Sequence, residues 1–334
     1  MLYLKLIQIS AVVLSYKGGD RLIPTLESCK LQTYPNKDLV IADDASPDDG
    51  YSVSIIEKWL EENRHHFTNV CFIKNRQNQG IVKNLRNAAL EAKGDIIFPL
   101  GQGDTCYGPD TFQLIAKEIQ KQRKKCLEDP YLWLTYYKTF IVEPKLQIVD
   151  HIVTSYCPAS APYQFNLIRD NPEKALQILL YDNFIGGASF IYLKRYFTPE
   201  NFPLPDNIRD IEDYPSLLFM LIENNKIGFV NFYSRYYEYG VGITFQNSEE
   251  SSKRMAETHK AISIWLNNLA NKDKRLYQYL NKKTIESHDP RMHFSTSTYI
   301  RFYKRFILPI KKILLTKASG KPFCVDWLWQ LRRN

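Results

Sequence analysis

The chain has 334 residues, 44% of them hydrophobic and 13% aromatic, enough apolar mass to bury a sizeable core and far too aromatic for a disordered polypeptide. Its 44 Lys and Arg against 36 Asp and Glu leave a net charge of +8, and much of that excess lies in the final segment. The six cysteines (Cys29, Cys71, Cys106, Cys126, Cys157, Cys324) form no CxxC pair and have no histidine at zinc-site spacing, which argues for reduced cytoplasmic thiols rather than a disulfide framework or a structural metal.

The opening MLYLKLIQISAVVLSYKGGD lacks a basic leader and a small-residue cleavage site, so it reads as a buried first strand. From 7 to 100, short apolar runs alternate with amphipathic stretches: IQISAVVLS, DRLIPTLESCKLQ, DLVIADD, SVSIIEKWLEEN, NVCFIK, GIVKNLRNAALEA and DIIFPL. This βαβαβαβ order predicts an α/β fold with a mostly parallel, Rossmann-like sheet flanked by helices. Leu22, Leu26 and Cys29 recur at helical spacing, with Asp20 where an N-cap would stand. Ligands of such sheets bind beyond the carboxyl ends of the strands, where Tyr16, Asp43, Asp44 and Asp104 all fall.

Beyond 105 the pattern gives a helix over 109–124, aromatic strands over 131–142, a long polar connection, a helix near 172–181, a strand near 188–193 and a helix from about 212. From about 246 the sequence is helical. Three parts are expected: a ligand-binding half over 1–105, a second half of the same domain over 106–245, and a helical C-terminal extension over 246–334.

Three acidic positions invite chemistry. DLVIADDASPDD (38–49) sets two carboxylates at a strand end, where repulsion favours a cationic or ligand partner, although Ser46 or Asp48 could equally cap the next helix. GDIIFPLGQGDTCYGPD (94–110) sets Asp104 in a glycine-flanked turn, as a hard-cation ligand or a simple turn residue. Glu212 and Asp213 stand at a helix start, where capping is the plain alternative and the dipole would favour the anions.

The order of motifs carries a resemblance. AVVLSYKGGDRLIPTLESCKLQTYPNKDLVIADDASPDD, with its SxxxQTYP helix exit and DD-x-S strand end, resembles the opening of family-2 glycosyltransferases, and NQGIVKNLRNAALEAKGDIIFPL is similar to that family's approach to its metal motif. The resemblance implies a GT-A fold, an inverting transfer from a nucleotide diphosphate sugar (a UDP-sugar) to a saccharide hydroxyl, and Mn²⁺ or Mg²⁺ as cofactor. It implies that Tyr16, Asp43, Asp44, Lys83, Gln102 and Asp104 line the donor site, that Asp104 holds the metal, and that Asp213 is the general base. Two departures stand out. Where the family has Asp-x-Asp or a run of acids, the chain has Gly101, Gln102, Gly103 and only then Asp104; where it often has an arginine after a tyrosine, the chain has Glu238. A thinned metal motif leaves room for a catalytically silent nucleotide- or saccharide-binding protein on the same fold.

Gly186-Gly187 reads as a turn admitting close approach, and YEYGVGIT (237–244) as a loop closing over the donor phosphates. The tail over 298–334 interleaves Lys and Arg with Phe, Tyr, Ile, Leu and Trp; it suits either a peripheral contact with the inner face of the cell membrane or a core helix with a basic outer face. The family context is O-antigen or capsule polysaccharide synthesis on a lipid-pyrophosphate-linked acceptor, and no nucleic-acid partner is expected.

Overall fold

The computed structural model describes residues 7–124, 128–142, 147–148, 161–181, 183, 185–241 and 248–288. The tail over 298–334, most of the polar connection after 142 and residues 242–247 of the glycine-punctuated loop lie outside them.

The first hundred residues form the predicted alternation: β1 (Ile9–Ser15), α1 (Leu22–Lys30), β2 (Lys37–Asp43), α2 (Tyr51–Asn63), β3 (Val70–Lys74), α3 (Ile81–Glu91) and β4 (Ile96–Gly101). β1 pairs in parallel with both β2 and β4, and β2 with β3. Within these strands side chains alternate between two cores. Ile9, Ala11 and Val13 meet α1, α2 and α4 (Thr111–Arg123) on one face, while Val12 meets α3 and the later helices on the other. Burial on both faces is why β1, β2 and β4 read as near-continuous apolar runs, whereas the edge strand β3 is half-buried.

The second half changes the sheet. β5 (Thr105–Cys106), β6 (Leu132–Ile141), β7 (Gln147–Ile148), β8 (Phe190–Leu193) and β9 (Ile227–Glu238) extend it in the order β3-β2-β1-β4-β8-β6-β9-β5, with β7 on β6. β8 runs antiparallel to β4 and β6, β9 runs parallel to β6, and β5 runs antiparallel to β9. Helices α5 (Ala161–Asp170), α6 (Pro172–Tyr181) and α7 (Asp213–Ile222) cover this half; α5 falls inside the stretch that the sequence presented as a connection. Of the helical extension, α8 (Glu249–Ala270) and α9 (Lys274–His288) are described. Ala261, Ile262, Trp265 and Leu266 of α8 enter the core, and the Trp265 indole donates to the Pro203 carbonyl at 3.1 Å. Each such large apolar side chain contributes on the order of 1.5–3 kcal/mol when fully buried, so α8 is fastened to the domain.

One local expectation fails. Asp20 does not cap α1: it sits in a 3-10 turn over Gly19–Arg21, and its carboxylate accepts from the Tyr51 hydroxyl at 2.9 Å. Asp48 does engage the first turn of α2, accepting from the Ser52 N–H at 3.2 Å.

Candidate active site

The carboxyl ends of β1, β2 and β4 meet the end of β9 and the start of α7. At the β2 exit, Asp43 accepts from the Ser15 hydroxyl (3.0 Å), the Ser46 N–H (3.0 Å) and the Ser46 hydroxyl (2.6 Å). Asp44 accepts from the Asn75 amide (2.9 Å) and from the N–H groups of Gln79 (2.7 Å) and Gly80 (2.9 Å). Both are buried. Asp43 ties the β2 exit to β1 and to the turn at Ser46, and Asp44 fastens the loop that leads into α3, so N–H and O–H donors offset the carboxylate repulsion expected here.

Tyr16 is half-buried, and its backbone N–H and carbonyl grip the Gln102 side chain at 2.6 and 2.7 Å. Gln102 thus joins the exits of β1 and β4. Lys83 is exposed on the first turn of α3 and has no partner among the described residues. Arg86, the other cation of that helix, faces the fold instead: it donates to the Phe197 carbonyl at 3.1 Å and lies over the Phe202 ring.

The turn that carries Asp104 is bolted to α1 and its exit. Thr25 Oγ1 accepts from Gly103 N–H (2.9 Å), Ser28 Oγ from Cys106 N–H (3.1 Å), and Gln32 bridges the Gly108 carbonyl and the Phe112 N–H. The Ser and Gln of the SxxxQTYP segment therefore set the geometry of this turn. Asp104 accepts from the Glu238 N–H at 3.0 Å, which brings the end of β9 over the turn. Burial pushes its carboxyl up to about 7, against the pull of that N–H and of the Arg235 guanidinium.

Glu212 and Asp213 stand at the start of α7, and their charges reach Tyr237 as that of Asp104 does. Burial, then the charge of Asp213, pushes Glu212 up to about 8; burial pushes Asp213 up to about 6, held lower by the N–H groups of Tyr214 and Gly187. The helix dipole does not keep these acids low, because removal from water outweighs it. A Cβ on Gly187 would come within 3.1 Å of Asp213 Oδ2, so a side chain there would crowd that carboxylate. The Tyr237 hydroxyl is raised by burial and by the charges of Asp104, Asp213 and Glu212, which marks these three acids as its shared neighbours. Asp44 connects to the same rim: Gly80, which donates to it, packs against Arg209, and Arg209 lies on the segment leading to Glu212.

Arg235, absent from the sequence reading, is fully buried beneath this cluster. It donates to the carbonyls of Pro99 (2.5 Å) and Phe190 (2.9 Å) and lies over the Phe98 ring, bridging β4 and β8 where proline offers no N–H to the ladder. Its positive charge acts on both Asp104 and Glu212. A charged residue inside the aromatic run FYSRYYEYG was the available signal.

A cation fits here only in part. A hard divalent ion is satisfied by one or two carboxylates plus substrate phosphates. Asp104 supplies one, and no cluster of three or more His, Cys, Asp or Glu able to hold a metal occurs among the described residues.

The arrangement has known counterparts. Residues 10–128 match the family described as Glycosyl transferase family 2. Residues 10–128 are thus similar to a family-2 glycosyltransferase domain. The chain's fold is GT-A: Staphylococcus aureus TarS in complex with UDP-GlcNAc aligns over 90% of this chain and 76% of that one, with a TM-score of 0.53 at 18% identity. An uncharacterized glycosyltransferase of Haemophilus influenzae is 26% identical over 215 residues, 64% of this chain; the match spans only 62% of that relative's length. The Escherichia coli UDP-Glc:alpha-D-GlcNAc-diphosphoundecaprenol beta-1,3-glucosyltransferase WfaP is 24% identical over 258 residues, 77% of this chain and 87% of its own. The domain match spans Tyr16, Asp43, Asp44, Lys83, Gln102 and Asp104, whereas Glu212, Asp213 and Glu238 lie outside it.

Proposed function

We propose that the chain transfers a sugar, with inversion, from a UDP-sugar to a hydroxyl of a saccharide acceptor in bacterial surface polysaccharide synthesis. The observation that carries this reading is the Glu212–Asp213 pair in the cleft. Burial raises both acids, Glu212 to about 8 and Asp213 to about 6, so the pair as a unit holds a proton towards neutral pH while one carboxylate is free to accept another. A carboxylate titrating just below the operating pH is the general base that a sugar hydroxyl needs.

In this reading Asp213 takes the acceptor proton as the acceptor oxygen bonds to the anomeric carbon, and the bond from that carbon to the diphosphate breaks on the opposite face. Tyr16, Asp43 and Asp44 form the nucleoside side of the site, with Lys83 at its rim. Asp104, beside Gln102, is the residue that would hold Mn²⁺ or Mg²⁺, which supplies charge neutralisation for the departing diphosphate. With a single carboxylate in the turn, that residue would hold a divalent ion weakly in the absence of the donor's phosphates.

The acceptor of WfaP, alpha-D-GlcNAc-diphosphoundecaprenol, supports a lipid-pyrophosphate-linked acceptor, as in O-antigen or capsule assembly. No helix among the described residues is long and apolar enough to cross a membrane, and the reading places any contact with the bilayer in the basic tail over 298–334. The division into a donor half (1–105), an acceptor half (106–245) and a helical extension (246–334) belongs to the same proposal.

The test is thermal stabilisation by a panel of nucleotide sugars with and without Mn²⁺, followed by a transfer assay with the best donor. A shift with one UDP-sugar and transfer that Asp213→Asn abolishes is the expected result. Binding without transfer to any saccharide or lipid-linked acceptor would instead make the chain a silent binding protein.

A further inference from the structure

Arg21 ends the 3-10 turn before α1, and its guanidinium reaches residues far along the chain. Its Nε and Nη2 donate to Glu238 Oε2 at 3.2 and 3.0 Å, and Nη2 also donates to the Gln102 carbonyl at 3.1 Å. The guanidinium therefore lies on the Gln102–Asp104 turn, clamped by the carboxylate at the end of β9. Glu238 is buried, its side chain 4% exposed, whereas that of Arg21 is 34% exposed.

Gly103 makes the clamp possible. A Cβ at that position would overlap the Glu238 carboxylate and stand 2.8 Å from Arg21 Nη2, and the backbone there has φ +96°. The volume that an acidic side chain at 103 would need is filled by an ion pair assembled from two other parts of the chain. The departure at Glu238 and the glycine at 103 are thus two sides of one arrangement, which brings a fixed cation to the turn where the acids before Asp104 are lost.

A guanidinium has five N–H donors in a rigid fork. Three are committed to Glu238 and Gln102; the two on Nη1 have no hydrogen-bond partner among the described residues. A partly exposed, oriented guanidinium edge with two unspent donors is suited to an anionic phosphate oxygen.

We infer that Arg21 is a ligand of the donor's diphosphate, presented beside the Asp104 turn by Glu238. The inference rests on the nucleotide-sugar reading above and deepens it: a resident side-chain cation shares the neutralisation of the diphosphate with whatever divalent ion Asp104 holds. Arg21 acts by direct contact, and Glu238 is a positioning residue.

The test is calorimetric titration of the full chain with UDP and with inorganic pyrophosphate, in EDTA and in Mn²⁺. Arg21→Met is expected to weaken both ligands about 10-fold to 100-fold, the loss of one charge-assisted contact, in either medium. Arg21→Lys recovers part of the affinity as a point charge without the fork. Because Arg21→Met removes the guanidinium contacts of the buried Glu238 carboxylate, the double variant Arg21→Met/Glu238→Gln is measured beside it. It regains the wild-type melting temperature and stays as weak for UDP as the single variant. Wild-type UDP affinity in the double variant overturns the inference and leaves the transferase reading intact. Wild-type protein that binds neither ligand under any condition overturns both. Arg21-dependent binding of pyrophosphate without binding of UDP upholds the inference and removes the uridine assignment.

Discussion

The two acidic edges of the cleft use the same functional group in opposite ways. At the β2 exit, Asp43 and Asp44 each accept three hydrogen bonds from neighbouring loops. At the rim formed by β4, β9 and α7, Asp104 is buried and Glu212 and Asp213 are half-buried, with few donors: no side chain hydrogen-bonds to the Glu212 carboxylate among the described residues, and Asp104 and Asp213 depend on backbone N–H groups. The first edge is a fastening. The second keeps its acids near neutrality in titration, at a cost in stability that only a ligand or a reaction offsets.

Breaking the contrast at its reactive edge gives the largest effect. Asp213→Asn keeps the shape of the side chain and removes the base, so kcat falls roughly 10²-fold to 10⁴-fold while UDP affinity measured by calorimetry changes little. An equal fall in UDP affinity would place Asp213 in donor binding instead.

At the other edge the injury falls on folding. Asp44→Ala strands the Gln79 and Gly80 N–H groups and the Asn75 amide, and costs about 1–3 kcal/mol by urea unfolding. An exposed loop carboxylate would show almost no loss.

A subtler effect sharpens the comparison by its sign. Glu212 is raised in the folded chain from an ordinary 4.5 to about 8, so the fold binds its proton more tightly than the unfolded chain does. The stability this contributes is complete below about pH 4.5 and is lost as pH rises towards and through 8. Glu212→Gln fixes the uncharged state. It therefore gains stability over wild type progressively between pH 5 and 8, reaching on the order of 1–2 kcal/mol, or a few degrees in Tm by scanning calorimetry. A variant that loses stability at pH 8 would show that Glu212 is ionised and paired in the fold.

What the sequence disclosed follows from these physical differences. Strands buried on both faces announce themselves as apolar runs, so β1, β2 and β4, and with them the positions of Asp43, Asp44 and Asp104, were legible from chain order alone. The second half was harder because β9 carries irregularities against β6: Thr135 to Tyr137 advances two residues while Val230 to Arg235 advances five. Alternation therefore could not say which of Ser234, Arg235 or Tyr236 turns inward, and all three are buried. Helix α5 was hidden by its polar flanks. Asp20 looked like a cap because it precedes the helix, yet the 3-10 turn moves the helix start past it. The Arg21–Glu238 pair spans 217 positions, and its meaning exists only once Gly103 is seen to make room for it. Glu238 read as a departure from the family; in the fold it is a partner.

The pH dependence of transfer, measured as kcat with the UDP-sugar that most stabilises the chain, tests the account at its centre. Asp213, raised to about 6 within its pair with Glu212, predicts activity that falls tenfold per unit below an apparent pKa near 6 and is absent at every pH in Asp213→Asn. Transfer that persists undiminished at pH 5, or in Asp213→Asn at neutral pH, would contradict it.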